Sequence, residues 1–255
     1  MSLPIWTPDA LSSEAVRLDG KYWRIVEAQH RVSTLKLVDT LDEQALLEEL
    51  VEGTKPQIPL ECRHLHYLLA TPFRYGSVYP YGSRFRRAGK TKGVYYAAET
   101  VLTAVAEMAF YRLLFFAESP LTPWPNDAAD YTAFAAAIKC GAAIDLTRRP
   151  LDRDAQAWTH PTDYAACQAI ADVAREAGMQ AIRYRSVRDP KGANIALLTC
   201  KGFAKAKPLE PQTWRIRIGA FGLQAICEFP DKRLEFSRAT FADPRLAAMR
   251  WERGR

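Results

Sequence analysis

Glu107 is the residue whose position most invites chemistry. It lies midway along TVLTAVAEMAFYRLLFFA, residues 100–117, which is apolar or small on every face and has only Arg112 as a second charged residue. A helix of that composition belongs inside a protein. An ionised carboxylate buried there without a partner costs several kcal/mol, comparable to the whole margin of stability. The bland explanation is a carboxylate facing a polar gap or paired with a structural arginine. The chemical one is a carboxylate held against the positive part of a ligand. A second concentration of candidate groups precedes it: Arg74, Arg84, Arg86 and Arg87, with Lys90 and Lys92, crowd one stretch of chain. Guanidinium groups grip phosphates through paired N–H donors, although the same cluster would serve as a solvated basic face or an RNA contact. Ser186, in RYRSVRDP, stands where a strand gives way to a turn, and Asn194 follows; neither is distinctive alone.

Several familiar devices are missing. Gly89-Lys90-Thr91 looks like the end of a phosphate loop, yet Arg84 occupies the position where G-x-x-x-x-G-K-[ST] requires glycine, and no helix is expected directly after it. No G-x-G-x-x-G opens a helix after a strand, and no G-x-S-x-G is present. The five cysteines, Cys62, Cys140, Cys167, Cys200 and Cys227, include no C-x-x-C and read as reduced core residues. His64 and His66 form an H-x-H without a second ligand pair, so no metal is expected.

The elements that must position these groups follow from pattern. Residues 39–52 read as an amphipathic helix with Leu41, Leu46, Leu47 and Leu50 apolar, ended by Gly53 and Pro56. A short helix is expected over 64–70, stopping before Pro72. The Gly-, Pro-, Tyr- and Arg-rich stretch 71–92 reads as a functional loop. GVYYAAE is a strand, 100–117 the buried helix, FAAAIKCGAAIDL a strand or strand pair, and 163–176 a helix ended by Gly178. Residues 180–185 and 193–199 are strands around a turn at 189–192, and the tail from Thr213 suggests further antiparallel strands. Strands follow strands more often than they alternate with helices, which favours an α+β fold. The domain reading is an N-terminal helical extension, 1–60, and a catalytic domain, 61–255.

With 255 residues, 48% of them hydrophobic and 25% charged, the chain has the composition of a folded soluble protein. The N-terminus lacks a signal-peptide pattern, and no apolar run is long enough to span a bilayer, so the cytoplasm is expected and a membrane is not. A net charge of +6 favours anionic partners without choosing among them.

Taken in order, Gly82-Ser83-Arg84-Phe85, Gly93-Val94-Tyr95-Tyr96-Ala97-Ala98-Glu99 and Thr103-Ala104-Val105-Ala106-Glu107 resemble the RES-domain toxins over about residues 67–200. Arg84, Tyr96, Glu107, Ser186 and Asn194 match that family's pattern in order, and Arg74 looks like its earlier arginine. The chain departs from many members in having Phe85-Arg86 after the loop arginine, and a register shift of one would exchange Tyr95 for Tyr96.

The resemblance implies an ADP-ribosyltransferase-like mixed core of antiparallel sheets with flanking helices. It also implies NAD+ as substrate rather than cofactor, cleavage of the nicotinamide–ribose bond by phosphorolysis or hydrolysis, and an antitoxin partner with an Xre-type helix-turn-helix domain. In that reading Arg84, Glu107 and Ser186 are catalytic, and Arg74, Tyr96 and Asn194 bind substrate. Inorganic phosphate is the favoured co-substrate, since the loop cations outnumber the charges of one pyrophosphate. The rival expectations are a transferase that attaches ADP-ribose to a protein and a nucleic-acid-binding module. Direct nucleic-acid binding is not expected.

Overall fold

The computed structural model describes residues 5–28, 37–75 and 82–253. Residues 29–36, within the expected extension, and 76–81, within the expected loop, lie outside them. Eight strands form one sheet: β1 (Val16–Glu27), β2 (Tyr95–Ala98), β3 (Ala129–Asp145), β4 (Ala181–Arg185), β5 (Ala193–Leu197), β6 (Leu209–Gly219), β7 (Gly222–Cys227) and β8 (Lys232–Phe236). Their order is β1-β2-β5-β4-β3-β6-β7-β8, and β1 also pairs with β3. That second pairing closes β1, β2, β5, β4 and β3 into a ring, from which β6, β7 and β8 extend. Among the described strands, only β3 and β4 run parallel. The chain is thus mixed helix and strand with a core dominated by the sheet, as the succession of strand-like segments suggested.

β1 lies within the segment read as a helical extension. Residues 1–60 do contain helices, Pro8–Ser13 and Leu41–Gly53. Between them, however, β1 runs antiparallel to β3 from Val16 opposite Ala143 to Glu27 opposite Tyr131. β1 is therefore one wall of the ring. β3 is one continuous strand of 17 residues, buried along most of its length. Its run of alanines suits a strand packed on both faces, where larger side chains would collide.

The long helix, Val101–Glu118, starts at Thr100, whose Oγ1 accepts the Thr103 N–H at 3.1 Å. Val105, Ala109, Phe110 and Leu113 are fully buried and pack in one cluster with Trp214, Leu223 and Ala225 of β6 and β7. Burial is not complete: Leu102, Tyr111 and Phe115 stay about half exposed. The short helix runs from Tyr67 to Arg74 and contains Pro72, so it does not stop before the proline. Pro72 lacks only its own N–H, and the helix continues two residues past it. The chain then returns at Gly93, where an added Cβ would fall 1.9 Å from the Pro72 carbonyl oxygen. Only glycine lets the strand leading into β2 pass this close.

The cysteines also differ from expectation. Cys62 and Cys200 form a disulfide, with Cα atoms 5.9 Å apart, and Cys140, Cys167 and Cys227 are free and buried. The pair joins two short 3-10 helices that lie far apart in sequence, so no local spacing announced it. His66 of the H-x-H caps the Tyr67–Arg74 helix, its Nδ1 accepting the Leu68 N–H. Among the described residues, no helix is long and apolar enough to cross a membrane, and no group of three or more His, Cys, Asp or Glu could hold a metal ion.

Candidate active site

A cavity of about 590 Å³ opens between β1, one face of β2, β5 and β4, and the long helix. That volume suits a small organic ligand. Strand register sets its floor. Ala98 lies opposite Asn194, and Asn194 opposite Tyr184, so Tyr96, Ala98, Asn194 and Tyr184 share one face. Trp23 and Ile25 of β1 and Met108 of the helix give an apolar side, while Arg24, Arg84, Arg188 and Arg245 give a cationic one.

Glu107 reaches this cavity from the middle of the helix, half-buried. Its Oε1 accepts two hydrogen bonds, from Ser186 Oγ at 2.7 Å and from Asn194 Nδ2 at 2.6 Å. Both donors are neutral and almost wholly buried. They fix the carboxylate and neither takes up Oε2, while Arg188, another residue of the cavity wall, acts on it through space. Ser186 is itself held in place, because its Oγ accepts the backbone N–H groups of Arg188 and Asp189. The turn that follows is tied to the helix by Thr103 Oγ1, which donates to Asp189 Oδ2 at 2.7 Å. Ser186 thus sits behind the carboxylate rather than on the cavity surface. The Oδ1 of Asn194 is buried without a hydrogen-bond partner, an acceptor that a ligand donor would satisfy.

Tyr96, not Tyr95, faces the cavity. Tyr95 is fully buried on the opposite side of β2, edge-on to Phe203 at 4.9 Å. The Tyr96 hydroxyl bonds Ser83 Oγ at 2.7 Å and accepts the Phe85 N–H at 3.1 Å. It therefore anchors the Gly82–Arg86 turn as well as lining the cavity. Burial pushes the Tyr96 hydroxyl up, against the effect of those hydrogen bonds. Burial and the nearby Glu107 push Tyr184 well up. Both phenols stay neutral through the physiological range.

Arg84 stands at the tip of that turn and is nearly buried. Its guanidinium stacks on Tyr164, 4.6 Å from the ring centroid, and donates to the carbonyls of Trp158 at 2.8 Å and His160 at 3.1 Å. It lines the cavity while bracing the segment that carries Tyr164. The turn is clamped from outside by Gln168, whose Nε2 donates to the carbonyls of Ser83 and Arg86, and by Arg175, which donates to that of Phe85.

The other loop cations are placed elsewhere. Arg74 ends its helix, is ion-paired with Glu52 and does not line the cavity. Arg86 is buried and donates to the carbonyls of Thr91 and Tyr75. Arg87 pairs with Asp172 at 2.5 Å. Lys90 and Lys92 do not reach the cavity lining either. The positive charge around the ligand space comes instead from Arg24, Arg84, Arg188 and Arg245. Of these, the sequence pattern points to Arg84 alone. Arg188 was visible two residues after Ser186, whereas Arg24 and Arg245 carry no local signal.

The RES domain family model matches residues 58–218. No curated protein matches the sequence. Among solved structures, a chain of the M. tuberculosis MbcT–MbcA toxin–antitoxin complex is similar over 82% of this chain and 91% of its own length, with 12% identity and a TM-score of 0.47. The family match takes in well over half of the chain and every residue of the Glu107 cluster; the protein belongs to the RES-domain family.

Proposed function

We propose that the protein is the toxin of a toxin–antitoxin pair and that it cleaves the nicotinamide–ribose bond of NAD+. The observation that carries this reading is the placement of Glu107: a carboxylate oriented by two neutral donors at the wall of a cavity rich in arginine and aromatic side chains. NAD+ offers matching chemistry, with a cationic nicotinamide ring, a ribose and a pyrophosphate. When the C–N bond breaks, its electron pair leaves with nicotinamide and the ribose acquires oxocarbenium character. A fixed negative charge beside that carbon is stabilising where it counts, in the transition state. The cavity arginines hold the phosphates and so fix the ribose against Glu107. Asn194 Oδ1 offers an acceptor for a ribose hydroxyl or the nicotinamide amide.

Water or inorganic phosphate completes the reaction by bonding to the ribose carbon. Phosphate is the favoured attacking group, now on the strength of the cavity arginines rather than of the loop cations. An enzyme that consumes the NAD+ of the cell that makes it acts in the cytoplasm and needs a restraint, which an Xre-type antitoxin would supply. Purified protein incubated with NAD+, with and without millimolar phosphate, tests the reading through product mass. Release of nicotinamide with a phosphorylated ADP-ribose supports phosphorolysis, and free ADP-ribose alone establishes hydrolysis. Transfer of label from NAD+ into protein would point to the transferase instead. Intact NAD+ under all conditions would sink the proposal.

A further inference from the structure

Asp243 is fully buried at its side chain and faces two arginines of the cavity wall. Arg188 Nη1 donates to its Oδ2 at 3.2 Å. Arg245 donates from Nε to Oδ1 and from Nη2 to Oδ2, each at 2.9 Å. Both arginines also reach the Pro161 carbonyl at 3.4 Å, and both lie over the Phe110 ring, with 3.3 Å and 5.5 Å to its centroid. Each guanidinium is thus fixed in position and in plane before any ligand arrives.

Asp243 is the carboxylate that both guanidinium groups bond, while the charge of Glu107 acts on Arg188 from the cavity side. Arg188 is only 7% exposed. Burying a cation is costly, and an arginine that only braces a segment has a simpler solution. Arg253 shows it nearby, donating to the carbonyls of Phe116, Ser119 and Thr122. Arg245 also has a side-chain hydrogen bond with Tyr164, another residue of the cavity wall. Both arginines line the cavity that holds Glu107, and Arg245 lies beyond the residues matched by the family.

We infer that Arg188 and Arg245, held by Asp243, form a preorganised anion seat that takes a phosphate group in the cavity, completed by the C-terminal segment. Asp243 is a positioning residue, and the two arginines are the ones that touch the ligand. The inference deepens the reading above and rests on it for the ligand's identity. The same chemistry serves inorganic phosphate as co-substrate or the pyrophosphate of the dinucleotide, and the two sources can be separated.

Calorimetric titration of the full chain with inorganic phosphate, and separately with ADP, supplies the test, alongside KM and kcat for NAD+ and phosphate. Arg245→Ala removes a third-exposed side chain and leaves Asp243 paired with Arg188, so the fold should persist. Arg188→Lys is the second variant, and Arg215→Ala, an exposed cation on β6, controls for general charge. Loss of charge-assisted hydrogen bonds should weaken binding about 10- to 100-fold in Arg245→Ala. KM for the same ligand should rise with it, kcat should change less, and Arg215→Ala should match wild type. Weakened phosphate binding identifies a co-substrate seat, and weakened ADP binding a seat for the pyrophosphate. Wild-type protein that binds neither, or folded Arg245→Ala and Arg188→Lys that bind both within twofold of wild type, overturns the inference. If wild type leaves NAD+ intact yet binds phosphate or ADP through Arg245, the seat stands and the NAD+ reading falls.

Discussion

Glu99 and Glu107 lie close together in sequence, one at the end of β2 and the other in the helix that follows, yet the protein treats them in opposite ways. Glu99 accepts from Arg183 Nε at 2.6 Å, and the same guanidinium reaches Asp145 at 3.1 Å. Its charge is answered inside the protein, across β2, β4 and β3. Glu107 receives only the hydroxyl of Ser186 and the amide of Asn194. One carboxylate fastens strands together. The other is aimed by neutral donors, with Arg188 acting on it only through space. On the proposed function, neutral donors in place of an arginine mark a carboxylate kept for a ligand, and neither residue type nor burial alone shows it.

Glu107→Gln strikes the contrast hardest. It keeps the size and an acceptor oxygen but removes the charge, so NAD+ consumption should fall about 100- to 1,000-fold, while the melting temperature stays within a few degrees. Near-wild-type turnover in a folded variant would erase the distinction between the two sites. Ser186→Ala leaves the charge and removes one of its two donors, together with the acceptor for the Arg188 and Asp189 amides. Turnover should drop on the order of 10-fold, the equivalent of one hydrogen bond of about 1.4 kcal/mol; unchanged kinetics would mean that Asn194 alone orients the carboxylate.

Glu99→Gln should behave in the reverse sense. Stability should fall by about 1 kcal/mol, as expected of a partly exposed pair, and activity per folded molecule should stay within about threefold of wild type. A large loss of kcat in a stable Glu99→Gln protein would contradict the assignment.

The smallest effect concerns acid. Burial opposes ionisation of Asp243, but hydrogen bonds from Arg245 prevail and hold its carboxyl below the ordinary value of 3.8. Its stabilising contribution is therefore fully present above that value and is lost as pH falls through the lowered one. Melting temperatures at pH 7 and pH 3 should diverge less in Asp243→Asn than in wild type; an equal divergence would show that the pair contributes nothing on acidification.

The sequence made the Glu107 site legible because its signals are local. An apolar helix with one carboxylate, a tyrosine-bearing strand before it and a serine at a strand end can each be read within a short window. What escaped was set by distant partners. β1 carries Arg17, Asp19, Lys21 and Arg24 among its apolar residues, and its pairing partner β3 comes much later in the chain. Arg24 and Arg245 reach the cavity only through tertiary packing. The loop arginines failed in the other direction, because Glu52 and Asp172, which answer Arg74 and Arg87, lie on separate helices. Cys62 and Cys200 are paired by the same long-range logic.

Closure of the ring by β1 has a consequence for biosynthesis. Residues 16–27 are made well before their main partner strand, which ends at Asp145, and the cavity wall still lacks Arg245 until synthesis has passed that residue. Contacts of such long sequence separation form late and slowly. A nascent chain of this protein therefore displays no complete cavity until the segment around Arg245 has emerged and packed. The order of synthesis thus separates the making of the first wall from the opening of the site, and what the cavity does waits on the later step.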